Sequence, residues 1–256
     1  MASYNRYSKK YSNYGYGGNK RAAKQLFPYF LQNFQVKEAY KILRTNLQYF
    51  FINKPNKVIM ISSANAGEGK TTTALNLALS LAEAGLKTIV VDIDLRRPSV
   101  HRQFEISAMP GVTNILGGLI SYREAVRQTK YDNLDVLTAG AIPPNPAELL
   151  SLDSMRELLE TLNGIYDYVI VDTPPVGIVT DAMVVGKHTA GVILVVREGS
   201  TTFEMLNHAK ETLELLDVNI IGMILNEVAV GKSYSRRKGS KYNKYSYYGE
   251  YDTGEN

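Results

Sequence analysis

Cysteine is absent from this chain of 256 residues, which excludes a disulfide framework and a cysteine-based metal site. Long apolar runs are absent too, since none approaches the ~20 residues that a membrane-spanning helix needs. The first twenty residues are polar and lack the apolar core of a secretory signal. We therefore expect a cytoplasmic protein that reaches a membrane only peripherally or through a partner.

Acidic residues are missing from most of both ends of the chain. Residues 1–24 contain six Lys or Arg and no acid, and residues 232–245 contain six more basic residues and no acid. We predict a disordered, basic, tyrosine-rich tail at 1–24, one folded domain at 25–231 and a second disordered tail at 232–256. Basic tails on a mildly acidic body suit an anionic partner, such as a membrane surface or a nucleic acid, or they simply keep the protein soluble.

Short apolar runs alternate with helical stretches along the middle of the chain. Several runs are almost continuously apolar, as expected for strands of a parallel sheet that helices cover on both faces. The pattern predicts an α/β fold with a doubly wound, mostly parallel sheet and with ligands at the carboxyl ends of the strands. The predicted strands are 58–62, 88–93, 134–138, 168–172, 191–196 and 220–225. The predicted helices are 37–52, 70–84, 112–127, 146–163, 180–188 and 202–216.

A phosphate-binding loop is the clearest local signal in the chain. An apolar run ends in small and glycine residues, and a Gly-Lys-Thr sequence then opens a helical stretch. Gly67 and Gly69 allow the backbone to approach a polyphosphate. Lys70 can reach the β- and γ-phosphates, and the Thr71 hydroxyl can bind Mg²⁺. The usual pattern has a glycine where Ala64 stands, and an ordinary glycine-rich turn is the alternative, but such a turn does not account for a lysine at this crowded position.

Three aspartates follow two other predicted strands. Asp92 and Asp94 end one apolar run, and Asp172 ends another, with two prolines after it. Because the carboxyl ends of parallel strands meet at one edge of a sheet, we expect these carboxylates to lie beside the phosphate-binding loop. Mg²⁺ with a bound nucleotide is the natural counter-charge, since this ion usually takes one or two carboxylates together with phosphates and waters. For any single aspartate, turn formation or helix capping is the alternative.

These motifs together resemble those of bacterial tyrosine kinases of the capsular and extracellular polysaccharide type. That family combines a modified Walker A loop with an Asp-x-Asp-x-Arg motif, found here at 92–96, and with Asp-Thr-Pro-Pro, found here at 172–175. The loop departs modestly, with Ala66 where the family often has proline. The resemblance covers roughly 35–251 and implies a P-loop NTPase fold for the kinase domain at 25–231. It is closest to the cytoplasmic form whose transmembrane activator is a separate polypeptide.

The resemblance implies ATP and Mg²⁺ as cofactors and assigns a role to each site residue. Thr71 and Asp94 would hold Mg²⁺ directly and Asp172 would hold it through a water. Asp92 would orient or deprotonate the incoming tyrosine, although the sequence leaves open which of Asp92 and Asp94 is the base. Arg96 would steady the phosphates or the acceptor. The implied catalytic residues are Lys70, Asp92, Asp94, Arg96 and Asp172. The implied nucleotide contacts are Ala66, Gly67, Glu68, Gly69, Lys70, Thr71, Thr72 and, at the adenine, Asn226.

A charged helical segment near the start of the domain resembles the family's Glu-x-x-Arg-x-x-Arg oligomerisation motif. Glu38, Lys41 and Arg44 match it, with Lys41 in place of the first arginine. The spacing of three places these residues on one helix face. A lysine lacks the forked bidentate contact of arginine, so we expect homo-oligomerisation to be weaker. A solvated ladder of salt bridges within the helix is the alternative.

Tyrosines are concentrated at the two ends of the chain. Of the 18 tyrosines, five lie in residues 4–16 and six in residues 234–251. The family resemblance implies that the C-terminal cluster is autophosphorylated between subunits. The implied acceptors are Tyr234, Tyr242, Tyr245, Tyr247, Tyr248 and Tyr251. Nucleic-acid binding through stacking on these rings is a competing hypothesis, but we do not expect nucleic acid as a partner.

The resemblance also implies a set of partners and a biological role. A transmembrane activator or polysaccharide co-polymerase would recruit the protein to the inner face of the membrane, other copies of the chain would exchange phosphate, and a cognate protein-tyrosine phosphatase would reverse the reaction. The enzyme would regulate capsular or extracellular polysaccharide synthesis and export. Two alternatives stay open: a partition or division-site positioning ATPase, whose signature lysine is replaced here by Asn65, and a non-catalytic, nucleotide-sensing regulatory subunit.

Overall fold

The computed structural model describes residues 34–228 of the chain. The chain divides into two units, 1–226 and 227–256, and all of the described helices and strands belong to the first. The strands are β1 (Val58–Ser63), β2 (Thr88–Asp92), β3 (Arg127–Gln128), β4 (Leu134–Leu137), β5 (Tyr168–Asp172), β6 (Gly191–Arg197) and β7 (Ile220–Asn226). The helices are α1 (Phe34–Phe50), α2 (Lys70–Glu83), α3 (Val100–Gln103), α4 (Val112–Leu116), α5 (Tyr122–Ala125), α6 (Pro146–Leu150), α7 (Asp153–Asn163), α8 (Asp181–Gly186) and α9 (Phe203–Glu214).

The seven strands form one sheet in the order β3-β4-β2-β5-β1-β6-β7. Every neighbouring pair is parallel except β3 and β4, which are antiparallel. The chain moves from β1 to one side of the sheet and later returns to its other side. The carboxyl end of β1 therefore lies at the point where the strand order reverses, which is where open α/β sheets bind ligands.

The central strands β1, β2, β5 and β6 are mostly apolar because helices cover both faces of the sheet there. In β1, Ile59 and Ile61 face the cluster formed with α1 and α2, whereas Val58 and Met60 face the opposite side. Helices α4 and α7 cover part of that opposite side, and α9 covers the part beside β6. The predicted doubly wound α/β fold with helices on both faces is confirmed.

Helix α2 is buried on all sides because α1 packs across its outer surface. Ten consecutive residues of α2, from Thr73 to Ala82, are buried. Leu47 of α1 is buried in the same cluster, and the Arg44 guanidinium donates a hydrogen bond to the Ser80 carbonyl over 2.7 Å. A mostly apolar helix that is buried around its whole circumference needs such a cover. Helix α1 therefore completes the core beneath the predicted phosphate-binding loop.

Two predicted helices are wrong because each is broken in the middle. The predicted helix at 112–127 consists of α4, α5 and the antiparallel strand β3. Gly118 has a φ of 69°, which ends the first segment, and Ser121 starts the second with a capping box to Glu124. The predicted helix at 146–163 is α6 followed by α7, separated where Leu152 has an extended backbone with ψ of 149°. Other boundaries move by one to three residues; β2 ends at Asp92, and α8 is shorter than its prediction.

Within the described part of the chain, no helix has both the length and the apolarity needed to cross a membrane. The longest described helix, α1, has 17 residues and a charged face.

Candidate active site

The loop between β1 and α2 requires glycine at two positions. Gly67 has a φ of 82° and Gly69 a φ of 91°, both in the left-handed region. A Cβ atom at Gly69 would lie 2.1 Å from the Nδ2 of Asn226, whereas a Cβ at Gly67 would meet nothing within 4 Å. Gly69 therefore allows the loop to pass close to the end of β7. The first turn of α2, which leaves backbone N–H groups without helical partners, starts immediately after this residue.

Glu68 holds the loop in shape through its buried carboxylate. Its oxygens accept hydrogen bonds from the backbone N–H of Asn65 and from the Thr201 hydroxyl. The Glu68 carbonyl accepts a hydrogen bond of 3.0 Å from Asn226. The side chains of Glu68 and Asn226 are thus occupied within the protein. Contact of Glu68 with a nucleotide would use its backbone, and the adenine contact of Asn226 stays a prediction.

Lys70 brings the loop and two of the predicted carboxylates together. Its Nζ lies 2.9 Å from the Oδ2 of Asp94 and 3.7 Å from the Oδ1 of Asp172. Burial disfavours the charge on Lys70, but the fields of Asp172 and then Asp94 outweigh burial and raise its pKa. Lys70 therefore stays protonated and can neutralise either a carboxylate or a phosphate.

Thr71 connects the start of α2 to the ends of two strands. Its hydroxyl donates a hydrogen bond of 2.7 Å to the Oδ2 of Asp172 and lies 3.2 Å from the Oγ of Ser99, which donates to it. Sequence reasoning missed Ser99, and the only signal was its position shortly after the Asp-x-Asp-x-Arg motif. Thr72, the next residue of α2, is partly exposed beside this group.

Asp92 is fully buried and shapes the turn that follows β2. Its Oδ1 accepts the N–H of Asp94, and its Oδ2 accepts the N–H groups of Ser99 and Val100, each over 3.1 Å. Burial and the neighbouring charge of Asp172 raise the pKa of Asp92 to about 7, against the effect of those backbone hydrogen bonds. Asp94 therefore reaches Lys70 from a turn held by Asp92, rather than from a strand that continues to residue 94.

Asp172 ends β5 and contributes to the site a buried oxygen that accepts no hydrogen bond from a described residue. Its carboxylate is fully buried, and its Oδ1 makes no hydrogen bond to any described residue. Burial raises the pKa of Asp172, while Lys70 and the Thr71 hydroxyl oppose that increase. A buried carboxylate oxygen that has Lys70 3.7 Å away but accepts no hydrogen bond, beside a hydroxyl, is a donor set that suits Mg²⁺.

A metal ion at this site would depend on the nucleotide for part of its coordination. Within residues 34–228 no group of three or more His, Cys, Asp or Glu side chains is arranged to hold a metal ion. Mg²⁺ in nucleotide sites takes one or two carboxylates and completes its shell with phosphates and waters. The predicted donors Thr71, Asp94 and Asp172 fit that arrangement.

Arg96 is not directed at Lys70 or the loop. Its guanidinium donates two hydrogen bonds, of 2.7 and 2.9 Å, to the carboxylate of Asp181, which is fully buried at the start of α8. This bidentate pair joins the turn after β2 to α8. Sequence reasoning missed Asp181, whose only local signal was an acid near the start of a predicted helix. A role for Arg96 at the phosphates stays a prediction.

The three residues of the predicted oligomerisation motif make two different kinds of contact. Lys41 Nζ lies 2.6 Å from Glu38 Oε1, and both side chains are about half-exposed. Arg44 instead binds the Ser80 carbonyl inside the same chain. The intrahelical ladder is therefore present for the first pair only. The six predicted phosphoacceptor tyrosines lie outside the described residues.

Comparison with known proteins places the chain among kinases. A family model described as an AAA domain matches residues 56–217. Tyrosine-protein kinase YwqD of Bacillus subtilis (strain 168) is 42% identical over 215 residues, covering 84% of this chain and 87% of that protein. Tyrosine-protein kinase CpsD of Streptococcus agalactiae is 35% identical over 219 residues, covering 85% of this chain and 92% of that protein.

A solved structure gives the same result. The kinase domain of Escherichia coli tyrosine kinase ETK matches with a TM-score of 0.74 and 38% identity, covering 79% of this chain and 80% of that chain. Both the predicted resemblance and the predicted nucleotide-binding P-loop fold are confirmed. The loop follows β1, and Asp92 and Asp172 end the neighbouring strands β2 and β5, so these residues share one side of the sheet with Lys70. The chain belongs to the bacterial tyrosine-protein kinases.

Proposed function

We propose that this kinase transfers the γ-phosphoryl group of ATP, with Mg²⁺, to tyrosines of its own C-terminal cluster at 234–251. The observation that carries the proposal is the meeting of Lys70 with Asp94 and Asp172 at the end of β1, where the lysine Nζ lies 2.9 and 3.7 Å from the two carboxylates. Phosphoryl transfer depends on positioning and on neutralising charge, and this group supplies both.

The loop and α2 would bind the phosphates of ATP. Backbone N–H groups of residues 66–72 and the Lys70 ammonium provide the positive field, and Gly69 lets the chain approach closely. Thr71 and Asp94 would hold Mg²⁺ directly, and Asp172 through a water. The metal ion, when bound, supplies charge neutralisation at the phosphates. Lys70 keeps its proton throughout, because its pKa is raised by the carboxylates.

Asp92 would orient the acceptor hydroxyl or take its proton, and Asp94 is the competing candidate. The two differ in environment: three backbone N–H groups hold Asp92 in a fully buried position, whereas Asp94 is 5% exposed and paired with Lys70. We expect Asp92→Asn to lower the melting temperature along with activity, because it disturbs the turn. Asp94→Asn should lower activity alone. If Asp92→Asn leaves phosphorylation intact in folded protein, Asp92 is not the base.

The activity is tested by incubating the full chain with ATP and Mg²⁺ and blotting for phosphotyrosine. We expect Lys70→Met to abolish the signal and the replacement of all six C-terminal tyrosines by Phe to remove most of it. The matched control replaces the five tyrosines in residues 4–16 by Phe, which should preserve the signal. Undiminished labelling of the C-terminal variant would disprove the acceptor assignment. Undiminished labelling of Lys70→Met would disprove the nucleotide site.

Phosphorylation of the C-terminal cluster would also reverse the charge of the tail. Each phosphate adds about −1.5 to −2 charges. Four or five would exceed the six basic residues at 232–245 and would release the tail from the acidic rim of the site. We infer that this charge reversal regulates the polysaccharide synthesis and export that the enzyme serves, and that a cognate protein-tyrosine phosphatase resets it.

The same family membership supports a proposal for the partners and the location of the protein. We propose that a separate transmembrane activator or polysaccharide co-polymerase recruits the kinase from the cytoplasm to the inner face of the membrane. Other copies of the chain would associate through Glu38 and Lys41, whose side chains are half-exposed on α1. Light scattering after size exclusion, comparing the natural chain with Glu38→Ala, checks this association. An unchanged monomer in both samples would rule it out.

A further inference from the structure

The loops that precede the parallel strands lie together at the edge of the sheet opposite the nucleotide site. Parallel strands all start at one edge and end at the other, so the loops before β1, β2, β4, β5, β6 and β7 share one side. We call this side the amino edge. It consists of residues 51–57, 84–87, 129–133, 164–167, 187–190 and 215–219.

The amino edge carries five lysines in a row across the sheet. Lys130 precedes β4, Lys87 precedes β2, Lys54 and Lys57 precede β1, and Lys187 precedes β6. These strands belong to a run of five neighbours, β4-β2-β5-β1-β6. With about 4.8 Å between adjacent strands, the row is roughly 20 Å wide. That width matches a broad surface better than a small ligand.

Aromatic rings, rather than carboxylates, lie beside four of these lysines, Lys187 being the exception. Lys54 lies 3.4 Å from the centre of the Phe50 ring, Lys57 lies 5.3 Å from that of Tyr168, and Lys87 lies 4.9 Å from that of Tyr166. Among residues 34–228, no carboxylate lies within 4 Å of the ammonium group of any of the five lysines. Their positive charge is therefore available to an external anion.

Few acids offset the lysines of the amino edge. Its loops contain three, Asp132, Asp167 and Asp217, so the edge carries a net charge of +2. The Asp167 carboxylate accepts a hydrogen bond of 2.8 Å from the backbone N–H of Lys87, which partly satisfies it inside the protein. The folded body as a whole is acidic, so this positive edge is a local feature.

Exposed apolar side chains accompany the lysines. Leu215 is 86% exposed, Ile52 57%, Leu216 46% and Ile165 37%, and all four lie in the same loops. Apolar side chains among lysines are typical of surfaces that enter the boundary between lipid headgroups and acyl chains. An acidic protein partner could bind through the lysines alone and would not account for the exposed apolar side chains.

We propose that the amino edge docks on an anionic lipid surface, with the nucleotide site on the opposite edge facing away from the bilayer. The lysines bind the headgroups while Ile52 and Leu215 enter the interface. This contact is separate from recruitment by a partner and does not depend on the kinase reaction. It would keep the phosphate-binding loop and the site of transfer open to the tyrosine tails of other copies.

The absence of tryptophan from the chain provides a direct test of this orientation. Ile52→Trp places a single fluorophore on the amino edge, and Ile142→Trp places one in the loop after β4, at a similarly exposed position (66%) on the opposite side. We expect vesicles of phosphatidylcholine with phosphatidylglycerol to shift the Ile52→Trp emission to the blue and to allow quenching by brominated acyl chains. Ile142→Trp should not respond, nor should either variant with phosphatidylcholine alone.

Charge removal tests the same contact without a fluorophore. We expect Lys54→Gln with Lys87→Gln and Lys130→Gln to weaken co-sedimentation with the anionic vesicles by at least about tenfold. The matched control removes the same charge elsewhere through Arg97→Gln, Arg102→Gln and Arg123→Gln, all exposed residues outside the amino edge, and should bind as the natural chain does. Autophosphorylation without vesicles should be unchanged in the triple-lysine variant, which shows that it is folded.

Three results would overturn the proposal. Equal loss of binding in both triple variants would mean that only net charge matters. An equal emission shift for Ile52→Trp and Ile142→Trp would mean that the protein has no fixed orientation. A shift that needs a membrane protein in the vesicles, and is absent with lipid alone, would assign the amino edge to a protein partner.

Discussion

The two edges of the sheet hold their charges in different ways. At the carboxyl edge, Asp92 and Asp172 are buried, Lys70 is partly buried, and hydrogen bonds and ion pairs of 2.7 to 3.7 Å fix all three. At the amino edge, lysines such as Lys54 and Lys87 are exposed and lie over aromatic rings. Buried charges must be paired, because an isolated one is too costly, whereas exposed charges need no partner.

This contrast indicates that the carboxyl edge carries out the reaction, whereas the amino edge attaches the protein to a surface. The carboxyl edge holds its carboxylates where burial raises the pKa of Asp92 and Asp172, so each anion costs folding energy that a bound cation would recover. The exposed lysines of the amino edge impose no such cost in folding free energy. Substitutions at the carboxyl edge should therefore change activity strongly, and at Asp172 activity and stability should change in opposite directions. Substitutions at the amino edge should leave activity in solution unchanged and should change stability only slightly.

The largest effect is expected for Asp172→Asn. The amide can still bind the Thr71 hydroxyl but removes the buried anion, so phosphorylation should fall by about 10²–10³-fold. Because burial raises the pKa of Asp172, its ionised form destabilises the fold, and the neutral amide should raise the free energy of unfolding by about 1 kcal/mol. Kinase assays and urea denaturation on one preparation measure both changes. A less stable variant would contradict the assignment of Asp172 as a destabilising buried anion.

A smaller effect is expected for Gly69→Ala. The left-handed φ of 91° and the close approach of Asn226 should lower the free energy of unfolding by about 2–3 kcal/mol and weaken nucleotide binding. Gly67→Ala is the matched control, since its φ is similar but its surroundings are open, and it should cost about 1 kcal/mol. Calorimetry with and without nucleotide compares the two. Equal losses would show that Asn226 can move aside freely.

Arg96→Ala should have an intermediate to small effect. It leaves the buried Asp181 without its bidentate partner, but the Arg96 side chain is 45% exposed and water can replace it. We therefore expect a loss of about 1–2 kcal/mol in the free energy of unfolding. Arg96→Lys should recover part of it, because lysine keeps the charge but not the fork. Unchanged stability with lost activity would instead support the predicted role of Arg96 at the phosphates.

The smallest effect is expected at the amino edge. Lys57→Gln and Lys87→Gln each remove one ring contact of about 5 Å and should change the free energy of unfolding by at most about 0.5–1 kcal/mol. Autophosphorylation in solution should not change. Thermal denaturation and the phosphotyrosine assay measure the two quantities. A loss of activity in solution would mean that the two edges are coupled, so that catalysis and membrane binding are not separate functions of the two edges.

The fold class and the main site residues could be predicted because they depend on local patterns. Glycines and a lysine after an apolar run specify a phosphate loop, and almost continuously apolar strands specify a sheet covered on both faces. Parallel topology then brings Asp92 and Asp172 to neighbouring positions, where their Cα atoms are paired in register. No long-range information beyond the alternation of elements was needed for this.

The partners of those residues could not be predicted. Arg96 and Asp181 are 85 positions apart, and Thr201 is 133 positions from Glu68. Ser99 reaches Thr71 only because Asp92 holds the turn between them. The breaks at Gly118 and Leu152 were missed because helical periodicity on both sides of each break concealed them.

The amino acid sequence alone determined the class of this protein, its nucleotide loop and the acids that end its strands, because motif spacing and apolar periodicity are encoded in neighbouring residues. Only the tertiary structure decided which charges are buried and paired and which stay free. That division depends on which loops the fold brings to the same edge, and burial is a property of the packed chain that no single segment carries.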